Sequence, residues 1–220
     1  MKIIITAGPT REYLDPVRFL SNPSTGKMGF AIAAEAARRG HDVTLIAGPV
    51  ALKTPKGVKR VDVTSAREML QESLRSLRGC EGAVFISTAA VADWRPAKCA
   101  AKKLKKREMS GVLKLVRNPD ILKTVAGSRR ARGSRPTGTK LRLVGFAAET
   151  DHVVQEAARK CREKGLEFIV ANDVTQKGCG FGTDTNKVTF VFPDGTFRKF
   201  PLMTKRMVAK RILEEVENEK

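Results

Sequence analysis

A chain of 220 residues and 24.1 kDa, 41% hydrophobic and 30% charged, is long enough to bury a sizeable core and too apolar to remain disordered. No apolar run approaches the ~18 residues of a membrane span, and Met1-Lys2-Ile3-Ile4-Ile5 meets Gly8-Pro9 too soon for a secretory signal core, so a cytoplasmic protein without membrane contact is expected. The net charge is +19, and between Ala97 and Arg142 fifteen Lys and Arg face two acids, Glu108 and Asp120, so +13 of it falls there and points to an anionic partner.

Lys2 to Ala7 is an apolar run ending at Gly-Pro and predicts a first buried strand. Residues 8–25 read as a long connection. The alanine-rich stretch from Gly26 predicts a helix that stops at Gly40. Asp42 to Ala47 and Val58 to Val63 predict the second and third strands, and Ser65 with Glu68 three residues on forms a capping box for the next helix. Gly82 to Ser87 predicts a fourth strand. The charged segment Ala97 to Arg117 then interrupts the alternation, and Pro119 opens a short helix at its first turn. Leu141 to Ala147, Asp151 to Lys164 and Leu166 to Ala171 read as strand, helix and strand. Lys187 to Phe192 and Thr196 to Phe200 flank Pro193-Asp194-Gly195, a hairpin signal, and a last amphipathic helix runs from about Met203 to Val216. This alternation predicts an α/β fold with a doubly wound, mostly parallel sheet and a late antiparallel hairpin. Nothing splits the chain, so a single domain over 1–220 with a projecting basic loop is expected.

Cys80, Cys99, Cys161 and Cys179 stand far apart without a C-x-x-C pair, which argues against a disulfide framework and a zinc site. His41 and His152 have no spacing partner for metal or triad chemistry. In a doubly wound sheet, ligands bind at the carboxyl ends of the strands, so the loops after strands one, four and five are the places for chemistry. Ser24-x-Gly26-x-x-Gly29 opens a helix like a dinucleotide fingerprint with its first glycine replaced, and reads equally as an anion site or a structural tight turn. The glycines begin too far after the strand for NAD, and the second strand ends Leu45-Ile46-Ala47-Gly48 without the acid a ribose needs. A Walker A loop fails because Met28 follows Gly26-Lys27. After strand four, Thr88-Ala89-Ala90-Val91-Ala92-Asp93 offers small residues for a flat ligand and one carboxylate. Lys102-Lys103-Leu104-Lys105-Lys106 suits a loop closing over a triphosphate. A nucleic-acid-binding module is the alternative for the basic 97–142 segment. That segment holds no Phe, Tyr or Trp for base stacking, so no nucleic-acid partner is expected.

Six motifs in order carry a resemblance: Asn22-Pro23-Ser24-Thr25-Gly26-Lys27-Met28-Gly29, Ala89-Ala90-Val91-Ala92-Asp93, Lys103-Leu104-Lys105-Lys106, Asn118-Pro119-Asp120-Ile121, Gly145-Phe146-Ala147-Ala148-Glu149-Thr150 and Ala171-Asn172-Asp173-Val174. Together they resemble the phosphopantothenoylcysteine synthetase family, the ligase step of coenzyme A synthesis, over essentially the whole chain. The resemblance implies a three-layer α/β fold with a mixed sheet, Rossmann-like and ribokinase-like. It implies an enzyme that joins 4′-phosphopantothenate to L-cysteine through an acyl-cytidylate made from CTP, with Mg2+ and as a homodimer. In many bacteria a flavin decarboxylase forms the other half, so no flavin is expected here. Residue by residue, Asn22 matches the asparagine that handles the acyl-cytidylate by hydrogen-bonding developing charge. Lys103 matches a catalytic lysine on a nucleotide-covering flap, 97–117. Ser87, Thr88, Ala89, Asp93, Pro119, Asp120, Ile121, Leu122, Phe146, Lys160 and Lys164 match nucleotide-binding positions. No metal ligands are assigned. Thr25 and Leu104 depart from a usual serine and isoleucine, and the arginine-rich insert 127–140 has no assigned role.

Overall fold

The structure, a computed structural model, describes residues 1–80, 82–108, 111–131, 141–149, 153–173 and 178–218. Expectations for 132–140, Thr150, Asp151 and Val174 lie outside the described residues. The chain begins with β1 (Lys2–Ala7), whose Ile3, Ile4 and Ile5 are all fully buried, as a strand covered on both faces requires. The expected connection over 8–25 instead contains a short antiparallel ribbon of β2 (Arg11–Tyr13) and β3 (Phe19–Ser21). Strands of three residues carry too little alternation to be read from sequence. Helix α1 (Lys27–Arg38) leads to β4 (Asp42–Ala47) and β5 (Val58–Asp62), and Ser65 with Glu68 forms the expected capping box on α2 (Ala66–Ser76).

After β6 (Ala83–Ser87), a second ribbon of β7 (Trp94–Pro96) and β8 (Leu115–Arg117) closes the base of the basic segment. Helix α3 (Ile121–Ala131) starts two residues later than expected. Asp120 caps it by accepting from the Lys123 N–H at 2.9 Å, so Pro119 stands before the cap and not in the first turn. The chain continues through β9 (Arg142–Glu149), α4 (Val153–Lys164), and β10 (Phe168–Asp173). It finishes with β11 (Thr185–Asn186), the hairpin β12 (Val188–Val191) and β13 (Phe197–Lys199), then β14 (Met203–Thr204) and α5 (Lys205–Glu217).

The main sheet runs β13-β12-β10-β9-β6-β1-β4-β5, with six parallel strands and the antiparallel hairpin at one edge. Helices α1 and α5 pack on the face bearing Ile3, Ile5, Leu45 and Ile86; α2, α3 and α4 pack on the face bearing Ile4, Ile46, Phe85 and Leu143. That is three layers. From β1 the chain crosses to β4 and β5 on one side, then returns to β6 on the other. The strand order therefore reverses at β1 and opens a crevice at the carboxyl ends there.

Candidate active site

The loop after β6 is tied down by groups far away in sequence. The Thr88 hydroxyl donates to the Thr6 carbonyl at 2.6 Å, the Ala90 N–H to the Gly8 carbonyl at 2.9 Å, and the Ala92 N–H to the buried Thr10 hydroxyl at 3.0 Å. Asn22 Nδ2 lies 3.2 Å from the Ala90 carbonyl and 3.1 Å from that of Val91. Asn118 Nδ2 donates to the Ala92 carbonyl at 2.8 Å while its backbone N–H reaches the Asp93 carbonyl at 2.7 Å. Two asparagines from different loops therefore hold residues 90–93 in one conformation. The expectation gave the Asn22 amide a developing charge as partner. In the structure that amide faces two carbonyls, which makes Asn22 a tie between loops before any ligand arrives.

The first turn of α1 reaches the same place. Gly26 takes φ 77°, a left-handed conformation that glycine adopts without a Cβ penalty, and no side chain caps the helix. Gly29 lies against β1, where a Cβ would stand 2.5 Å from both Ala7 Cβ and Thr88 Oγ1. Gly29 thus serves close helix–strand packing, and the uncapped amides of the helix start open beside it.

On the opposite face of the sheet, α3 and α4 bring charge. Asp120 pairs with Lys164 at 2.7 Å. Burial works against its ionisation, but the bonds from the Lys123 N–H and Lys164 outweigh it and lower the carboxyl's pKa. Lys160 lies one helical turn before Lys164 on the same side of α4. A cavity of about 490 Å³ joins these pieces, and twelve of the thirteen sequence-assigned residues line it: Asn22, Ser87, Thr88, Ala89, Asp93, Pro119, Asp120, Ile121, Leu122, Phe146, Lys160 and Lys164.

Lys103 is the exception. It is exposed and does not line the cavity. Its neighbour Leu104 is anchored, however: the Leu104 N–H donates to Asp15 Oδ2 at 3.1 Å, and Arg18 bridges Asp15 at 2.6 Å and the Leu104 carbonyl at 2.8 Å. Asp15 is fully buried, and the Arg18 guanidinium, helped by backbone N–H groups of Val17, Arg18 and Leu104, holds its carboxyl well below the usual range against the burial cost.

Sequence reasoning missed Lys205, Asn172, Asn186 and Phe181, which also line the cavity. Asn172 Oδ1 is buried without a hydrogen-bond partner. Asn172 sits in a motif that carried the resemblance, which was the available signal. Lys205 opens α5 some 180 residues after the first loop and has no local signature. Among the described residues the cavity lining is rich in lysines (Lys27, Lys160, Lys164 and Lys205), which suits the neutralisation of an anionic ligand. Asp93 is exposed at the cavity, whereas Asp120 is engaged by Lys164. One such carboxylate fits Mg2+, which takes one or two carboxylates and completes its shell with substrate phosphates. No helix among the described residues is long and apolar enough to cross a membrane.

Residues 1–219 match the DNA/pantothenate metabolism flavoprotein C-terminal domain family. The chain is 48% identical over 219 residues to the coenzyme A biosynthesis bifunctional protein CoaBC of Escherichia coli (strain K12), covering 98% of this chain and 51% of that protein. It is 45% identical over 215 residues to CoaBC of Bacillus subtilis (strain 168), covering 97% and 50%. The chain therefore spans about half the length of the curated relatives it matches. The crystal structure of the C-terminal domain of a CoaBC superposes with a TM-score of 0.78 at 42% identity, over 98% of this chain and 93% of that one. With the carboxyl-end cavity and its loops already in place, the chain belongs to the DNA/pantothenate metabolism flavoprotein C-terminal domain family.

Proposed function

We propose that the chain is the ligase that joins 4′-phosphopantothenate to L-cysteine in coenzyme A biosynthesis, with CTP as the activating nucleotide. The observation that carries this is the cavity itself, in which the loops after β1 and β6, Phe146 of β9 and the region of helices α3 and α4 bring together the assigned residues. The names of the relatives, which act in coenzyme A biosynthesis, support it.

In the reaction a carboxylate oxygen of phosphopantothenate attacks the α-phosphorus of CTP and pyrophosphate leaves. The cysteine amine then attacks the acyl carbonyl of the resulting acyl-cytidylate, loses a proton, and displaces CMP. Lys160, Lys164 and Lys103 neutralise phosphate charge, Lys103 from the 97–117 flap that Asp15 and Arg18 anchor at Leu104. Ser87, Thr88 and Ala89 form a close-approach floor for the nucleotide, with Phe146 and Pro119 to Leu122 beside it. Asp93 would hold Mg2+, which when bound shields the triphosphate. Holding both reactants at one strand end supplies much of the acceleration.

A homodimer fits this reading: Val17, Phe19, Trp94 and Leu115 expose apolar side chains at or beside the two short ribbons, β2–β3 packing against β7, and a second copy would cover them. The test of the function is a pyrophosphate-release assay with phosphopantothenate and cysteine, comparing CTP with ATP. CTP-dependent release coupled to amide formation is expected, and no release with either nucleotide would sink the proposal.

A further inference from the structure

The cavity has a second charged end. Lys160, Lys164 and Asp120 belong to the α3–α4 face of the sheet, whereas Lys27 and Lys205 open α1 and α5 on the other face. The loop 178–186 wraps around these two lysines. Thr25 donates to the Phe181 carbonyl at 2.7 Å, and Lys27 Nζ to the Gly182 carbonyl at 3.1 Å. Lys205 Nζ donates to the Gly180 carbonyl at 3.1 Å and the Thr183 carbonyl at 2.5 Å.

The charges there do not balance. Asp184 is the carboxylate of this end, and it is engaged by Lys27 at 2.7 Å with its own side chain 86% exposed. Lys205 is only 7% exposed and has no carboxylate at ion-pair distance among the described residues. Burial pulls its ammonium's pKa down from the ordinary lysine value and Lys27 adds to this, while Asp184 and Cys179 oppose it. A buried cation with carbonyl partners alone is costly to maintain, and an ammonium has three N–H donors of which two are used here. The adjoining start of α1 carries no acid in its first turn and no side-chain cap, so no residue of the helix itself offsets its positive end.

We propose that Lys205, with Lys27 and the first turn of α1, forms a second anion subsite that takes the phosphate monoester of the acid substrate. The triphosphate is left to the Lys160–Lys164 end. This assignment rests on the proposed ligase reading and says how that site tells phosphopantothenate from its unphosphorylated form. A purely structural Lys205, tying α5 to the 178–186 loop, would instead affect stability and all ligands alike.

Calorimetric binding of phosphopantothenate, pantothenate and CTP to the whole chain separates the two, using Lys205→Met, Lys205→Arg and Lys27→Met with a thermal melt of each. Lys205→Met is expected to weaken phosphopantothenate at least 10-fold while pantothenate and CTP stay within 2-fold, and Lys205→Arg to retain most of the phosphopantothenate affinity. Should Lys205→Met not fold, Lys27→Met carries the same expectation with a smaller loss. Equal losses for phosphopantothenate and pantothenate, a loss confined to CTP, or no change would overturn the subsite. A wild-type chain that makes product beside an unaltered Lys205→Met counts against the subsite alone. A wild-type chain that binds no phosphopantothenate and makes no product counts against the reaction and removes the subsite with it.

Discussion

Gly29→Ala tests whether the cavity depends on how closely α1 lies on β1. A Cβ at Gly29 would stand 2.5 Å from Ala7 Cβ and from Thr88 Oγ1 and 3.2 Å from Ala7 Cα; the Ala7 atoms are fixed on β1 and the Thr88 hydroxyl is held by its bond to the Thr6 carbonyl. Carbon atoms settle at about 3.5–4.0 Å, so the helix start must retract by roughly 1 Å. Overpacking of this kind costs about 1–3 kcal/mol, which for a chain of this size lowers Tm by roughly 2–12 °C. The retreating turn carries the α1 amides, and Thr88 is itself in the cavity-lining loop after β6. A ~1 Å misplacement of reacting groups costs about 100-fold in rate. Gly127→Ala is the matched control: Gly127 sits within α3 with nothing within 4 Å of an added Cβ, so it should gain about 0.5–1 kcal/mol and keep full activity. Thermal melts and steady-state turnover on both variants decide it. A Gly29→Ala chain with wild-type Tm and turnover would refute the packing argument.

Asn22→Asp sets a carboxylate within about 3 Å of the Ala90 and Val91 carbonyls, so repulsion replaces the tie that holds the loop after β6, and on the proposed ligase reading a shift of about 1 Å in that loop costs about 100-fold in rate. This variant should still form the acyl-cytidylate but pass it slowly to cysteine, so rapid-quench mass spectrometry should show it accumulate; normal transfer would reject that role. Lys103→Ala removes an exposed charge and should raise the KM for CTP or lower turnover ~10-fold or more, as a charge-assisted contact of ~1.5–3 kcal/mol implies, with Tm unchanged. Unaltered kinetic constants would reduce Lys103 to surface charge. Asp15 is ionised in the folded chain below its unfolded pKa of about 3.9, so its stabilisation is complete above that pH and is lost as pH falls towards the folded value. Asp15→Asn should therefore melt below wild type at pH 7, and the gap should narrow by pH 3. A gap that stays constant over that range would show that the Asp15 charge does not matter.

The parallel strands and the large helices were legible because their signals are local. Ile3-Ile4-Ile5 reads as a strand buried on both faces, and Ser65 with Glu68 announces α2 wherever the helix packs. Pro193-Asp194-Gly195 likewise marks the β12–β13 hairpin. The β2–β3 and β7–β8 ribbons were not legible, since three-residue strands have no measurable period and are held by contacts with each other. In the site, motif order located the residues but not their partners. Nothing in Asn22-Pro23-Ser24 says that the asparagine bonds carbonyls some seventy residues away, and Asp15 gives no sign in sequence of holding Leu104. Lys205 reads as the first basic residue of an amphipathic helix, and only the fold buries it at the cavity.

If the acid is activated on the α-phosphorus of a nucleotide, one of its carboxylate oxygens must leave with that phosphorus. Phosphopantothenate labelled with oxygen-18 in both carboxylate positions, turned over with CTP and cysteine, should transfer one labelled oxygen to CMP and keep the other in the amide carbonyl of the product, leaving pyrophosphate unlabelled. Label in pyrophosphate or inorganic phosphate, or amide formation with unlabelled CMP, would contradict it.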